Sequence, residues 1–97
     1  PARGGAIADE VPALADAVAG TAGLRLAGVM AVAPLGADPA AAFGLLAAVA
    51  ATVRAGHLGA TLISAGMSAD LEAAITAGAT HVRVGTALFG HRAPVLR

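Results

Sequence analysis

The sequence has 97 residues, no net charge and no cysteine. That length suits one small domain and falls well short of the ~250 residues of a complete α/β barrel. Zero net charge leaves no footprint for nucleic acid or an anionic membrane surface, the lack of cysteine excludes disulfides and thiolate metal sites, and no unbroken apolar run reaches the ~18 residues of a membrane span.

Asp9 is placed to cap a first helix running to about Ala19, with Pro12 tolerated in its first turn. Val11, Leu14, Ala15 and Val18 recur at helical spacing, and Gly20 ends the run. Leu24 to Val32 reads as a buried strand that Pro34 and Gly36 terminate. Asp38-Pro39 is a cap followed by proline at the first helical position. Phe43, Leu46, Ala50 and Val53 then form one helical face, ending near Gly56.

Thr61-Leu62-Ile63-Ser64 is a short β-branched strand. A helix from about Ser68 to Ala77 follows, with Gly78 as its stop and Asp70 and Glu72 in its first turn. Thr80 to Val84 is the third strand, and a short helix is expected from Thr86. Strand and helix alternate throughout, which predicts a parallel sheet with right-handed crossovers and no internal domain boundary. Residues 1–97 therefore read as one portion of a single domain. The chain starts at Pro1 without a signal-like segment and is expected to be a piece of a longer protein.

Two turns carry the chemistry. Ser64-Ala65-Gly66-Met67-Ser68 and Arg83-Val84-Gly85-Thr86 each follow a strand and open a helix. Backbone N–H groups at such a turn favour an anion, and consecutive turns after the last two strands are where a (β/α)8 barrel places a phosphate. Taken singly, the first turn is also an ordinary strand-to-helix connection with Ser68 as cap. Strand alternation puts Val82 and Val84 toward the helices and His81, Arg83 and Gly85 toward the interior. An inward arginine needs a partner, either a carboxylate or a ligand atom. Gly85 permits close approach, Thr86 offers a hydroxyl and an N–H, and the N–H of Met67 is placed to face the anion.

Other chemistries find little support. His57, His81 and His91 lack metal-ligand spacing, with His57 read as solvated, His81 as structural and His91 as a surface residue. Ser64 lacks a nucleophile-elbow pattern. The six acidic residues fall on helix starts or faces, with no catalytic pair among them.

The segment from Ser64 to Ile75, continued by Gly78 to Gly90, resembles the C-terminal signature of the pyridoxal phosphate homeostasis proteins. Gly28-Val29-Met30-Ala31-Val32-Ala33-Pro34 is similar to an upstream strand of that family, and Arg3-Gly4-Gly5 resembles the segment opening the preceding helix. The resemblance covers nearly the whole chain. It implies a (β/α)8 TIM barrel of the alanine racemase N-terminal-domain type, of which this chain holds about the last three βα units. It also implies pyridoxal 5′-phosphate (PLP) as cofactor. Its phosphate would be held by Ser64, by backbone around Gly66, Met67 and Ser68, and by Gly85 and Thr86, with Arg83 facing the pyridine nitrogen.

A guanidinium there disfavours protonation of the nitrogen and so weakens the ring as an electron sink. The implied role is cytoplasmic PLP carriage and homeostasis, without conventional catalysis and without nucleic-acid or membrane partners. The alternatives are a PLP-dependent amino-acid racemase of the same barrel type and a plain phosphate-binding barrel fragment. Two departures stand out. Ala65 replaces the family's usual methionine, and all six basic residues are arginine. The family's Schiff-base lysine must then belong to the remaining N-terminal part of the barrel, which is also the expected partner of this chain in a monomer.

Overall fold

Parallel pairing between two short strands organises the chain. The computed structural model describes residues 5–34 and 36–85. Strand β1 (Gly28–Met30) pairs in parallel with β2 (Leu62–Ser64), with Val29 opposite Ile63. A third segment joins the far side of β2 through a parallel bridge between Ser64 and His81. The helices are α1 (Val11–Ala19), α2 (Pro39–Gly56) and α3 (Leu71–Ala77), with a 3-10 turn over Ala8–Glu10 before α1. As far as α3 the alternation of strand and helix stands as expected.

The helices cover one face of the sheet. Val29, Ala31 and Ile63 pack with Phe43, Leu46, Ala65 and Ala74, while Ala15, Val53 and Ala60 form a second cluster that also touches Val29. The stripe foreseen for α2 is buried in full, at Phe43, Leu46, Ala50 and Val53. The opposite face of the sheet is open: Met30 is 61% exposed, against 2% for Phe43. Residues i and i+2 of a strand share a face, so Leu62 and Ser64 lie on the open side with Met30. At 18 residues α2 is long and apolar enough to cross a membrane; here its apolar stripe lies against the sheet and α3.

Local chemistry explains the boundaries. Asp38 accepts the N–H of Ala40 at 3.1 Å and starts α2, with Pro39 in the first turn. Asp9 does not cap α1 as expected. The chain enters through the 3-10 turn, and the side chain of Glu10 accepts the N–H of Ile7 at 3.3 Å. The N–H of Leu62 and that of Ala31 extend the β1–β2 ladder by one bond at each end, to Ala27 and Ser64. Beyond them, Leu24 is 58% exposed, and the expected strand from Leu24 to Val32 contracts to Gly28–Met30.

The third strand contracts for a different reason. The hydroxyl of Thr80 accepts the N–H of Ile63 at 2.8 Å, where a regular ladder would use a backbone carbonyl. Further on, Ala65 donates to His81 and Arg83 donates to Gly66, so the segment stays attached without becoming a regular strand.

Two glycines are dictated by space. A Cβ on Gly28 would overlap the carbonyl group of Leu62. Gly66 has φ of 94°, and a Cβ there would stand 2.6 Å from the Cβ of Ala74. Gly78 ends α3 at φ of 107°, as expected of a left-handed stop.

Phe43→Ala should remove about 3–5 kcal/mol of unfolding free energy, measured by urea titration. Gly66→Ala should destabilise by more than about 1 kcal/mol, because the backbone angle and the Ala74 contact both oppose it. An unchanged urea midpoint for Gly66→Ala would contradict this packing.

Candidate functional site

Parallel strands send their C-terminal ends to one side of a sheet, and ligand sites of α/β folds collect there. In this chain those ends converge. Val32, Ala33 and Pro34 follow β1, Met67 to Asp70 follow β2, and Arg83 to Gly85 follow the His81 bridge. Together they line an open groove of about 910 Å³. Four of the residues foreseen as site residues lie in its wall: Met67, Ser68, Arg83 and Gly85.

The others stand elsewhere. Ser64 ends β2 below the groove, its carbonyl accepting the N–H of Ala31. Gly66 is buried and turned toward Ala74 and Val82, so its small size serves the packing of the turn. Its carbonyl accepts the N–H of Arg83 at 2.9 Å, which ties the two turns together. Thr86 and the helix expected from it lie outside the described residues, as do Phe89, His91 and Arg92.

The turn amides are already engaged. Met67 donates its N–H to Asp70 Oδ1 at 2.7 Å, a contact absent from the sequence reading, which aimed that amide at the ligand. Gly85 donates its N–H to Ser68 Oγ at 3.3 Å. The helix after the first turn also starts later than expected. α3 begins at Leu71, and Ser68 belongs to the turn that precedes it.

Arg83 is the one cation in the groove wall among the described residues. It starts on the third segment and reaches past β2 to the end of β1, where Nη2 donates to the carbonyl of Ala31 at 3.3 Å. Adjacent strands lie ~4.8 Å apart, so the side chain extends across two strand spacings on the open face of the sheet. Its Nε is buried and has no hydrogen-bond partner among the described residues. A buried guanidinium N–H in this state is an open invitation to an acceptor. Strand alternation foresaw the inward direction of Arg83. It also assigned Val84 to the helix side, whereas Val84 lines the groove at 40% exposure, because regular pairing has ended there.

The remaining histidines serve other ends. His57 Nε2 lies 2.7 Å from Asp16 Oδ1, joining the end of α2 to α1, so it is paired where solvation was expected. His81 Nδ1 lies 2.9 Å from the Thr80 hydroxyl. No group of three metal-ligating side chains occurs among the described residues.

Residues 2–93 match the family model of the alanine racemase N-terminal domain. A pyridoxal phosphate homeostasis protein of Pseudomonas aeruginosa is 46% identical over 90 residues, covering 93% of this chain and 39% of that protein. Its counterpart in Corynebacterium glutamicum is 45% identical over 93 residues, covering 95% of this chain and 42% of that protein. Among solved structures, PipY of Synechococcus elongatus without PLP superposes with a TM-score of 0.82 at 32% identity, over 93% of this chain and 44% of PipY. PipY with PLP bound gives 0.65 at 34% identity, over 86% and 40%. The chain spans about two fifths of the length of these curated relatives.

The likeness to the homeostasis proteins, carried in the sequence by the two late turns, is thereby borne out, and so is the barrel-type α/β fold. The chain belongs to the alanine racemase N-terminal domain family and takes the fold of part of its α/β barrel.

Proposed function

We propose that this chain forms the phosphate-holding end of a pyridoxal 5′-phosphate site, and that the protein carries or buffers PLP without being a conventional enzyme. The observation that carries this reading is the convergence of the strand exits on one groove with a partly unsatisfied arginine turned into it. The names of the relatives and the PLP-bound form of PipY support it. The open face of the sheet, with Met30, Val32 and Leu62 exposed, fits a barrel whose remaining strands come from the N-terminal part of the same polypeptide.

The donor set suits the group. Met67 and Gly85 bring two backbone amides to the groove, held by Asp70 Oδ1 and Ser68 Oγ, that a phosphate would take over, and Arg83 adds a buried N–H. In the proposed site, Ser64 and Gly66 hold the first turn in shape and Ser68, Met67, Gly85 and Thr86 receive the phosphate. Arg83 stands at the pyridine nitrogen. When bound, PLP supplies an electron sink for carbanion chemistry. A permanently charged guanidinium at the nitrogen keeps that position unprotonated and the sink weak, which favours holding the cofactor over using it. The chain has no lysine, so covalent attachment is assigned to the remainder of the barrel.

Adding PLP to the full-length polypeptide should produce a bound, visible-absorbing species that free phosphate antagonises, with no racemisation of alanine. Turnover of alanine would move the assignment to a racemase, and absence of any bound species would reject PLP. Arg83→Glu should shift the bound cofactor's absorption by favouring nitrogen protonation; an unaltered spectrum would remove Arg83 from the ring. Ser68→Ala combined with Thr86→Val should weaken PLP binding, at about 1.5–3 kcal/mol for each hydrogen bond lost to the charged phosphate. Equilibrium dialysis of the double variant measures this, and undiminished affinity would count against these two residues.

A further inference from the structure

Asp70 puts a carboxylate where the first turn presents its amide. It sits just before α3, yet its side chain makes no cap to that helix. It reaches back to the N–H of Met67 at 2.7 Å, while its own N–H donates to the carbonyl of Met67 at 3.1 Å. The turn from Met67 to Asp70 is therefore closed twice. The carboxylate is half-buried and lines the same groove as Arg83, Ser68 and Gly85. No ion pair joins it to Arg83 among the described residues.

We infer that Asp70 is an internal competitor for the anion in this groove, a residue that weakens phosphate binding and speeds release. The inference rests on the groove being the phosphate site. A short N–H···O⁻ contact is a charge-assisted bond, stronger than its neutral equivalent. The 3.3 Å contact from Gly85 to Ser68 is long by comparison and is readily exchanged for a phosphate oxygen. The two turn amides are thus held unequally. A dianion entering the groove either displaces the Asp70 carboxylate from Met67 or settles beside its negative charge, and both routes lower affinity. For a protein that holds a cofactor and gives it up, an acidic residue within the anion cup sets how readily it lets go.

Asp70→Asn keeps an acceptor oxygen for Met67 and removes the charge. Asp70→Ser keeps a short oxygen acceptor and serves if the amide variant folds poorly. Full-length polypeptide would be titrated with inorganic phosphate and with PLP, and release of PLP followed by stopped flow. Both variants should bind inorganic phosphate about tenfold tighter than the parent, the scale of one unit charge removed near a dianion at a partly exposed site. PLP release should slow in step. Affinity for pyridoxal, which lacks the phosphate, should stay unchanged.

If the parent binds phosphate and neither variant binds it more tightly, Asp70 is a lock for the turn and the proposal is overturned. A gain that extends equally to pyridoxal also overturns it, since the effect would not act through the phosphate. If the parent binds neither phosphate nor PLP, the groove assignment itself fails and takes this role for Asp70 with it.

Discussion

The groove exists because three chain segments run parallel and are held at nearly the same height. Ala31 donates to Ser64, Ala65 donates to His81 and Arg83 donates to Gly66. These bonds lie at the strand exits, beyond the short regular ladder between β1 and β2. Each aligns one exit with the next, so residues far apart in sequence share one wall. Parallel strands require helical crossovers, and the helices in turn cover one face of the sheet. The exits, the open face and the covered face follow from that single constraint.

Small side chains make the arrangement compact. Ala65 and Ala74 are the most deeply buried residues near the turn, at 1% and 0% exposure, and Gly66 lies between them in sequence and against Ala74 in space. A larger residue at any of these positions would push α3 away from β2 and shift the 67–70 turn that α3 anchors. The core and the groove wall therefore share a turn, and packing below it fixes where the amides above it sit.

The helical parts of this fold were largely legible in the sequence, and the strands less so. α2 announces itself through Asp38-Pro39 and an apolar stripe of the correct period, and both features appear as read. Gly78 stops α3 as its lack of a side chain permits. The strands came out short because a strand's length depends on partners. The sequence of Leu24 to Val32 is apolar apart from Arg25, but only its middle has β2 beside it. Side-chain substitution for backbone was equally hidden. Nothing in the pattern of Thr80 reveals that its hydroxyl will occupy a ladder position, or that Asp70 will turn back to Met67 instead of forward to α3. The inward direction of Arg83 was legible, since alternation alone decides it; its reach to Ala31 was not, because that depends on which strands are neighbours.

Arg83 shows what the fold sacrifices for the groove. A guanidinium has five N–H donors, and here one of them reaches the carbonyl of Ala31, just past β1, while the buried Nε–H meets no acceptor among the described residues. Desolvating such a donor without a partner costs of order 1–3 kcal/mol. A lysine at this place would carry its charge on a flexible stem and could retreat to water, whereas the guanidinium holds its N–H donors in one planar fork, one of them on the carbonyl of Ala31. The fold thus spends stability to keep a rigid, permanently charged group aimed over the sheet's open face. Buried polar groups left short of partners concentrate where a structure expects to meet a ligand, and the strand exits put this one beside the turns that offer the remaining donors.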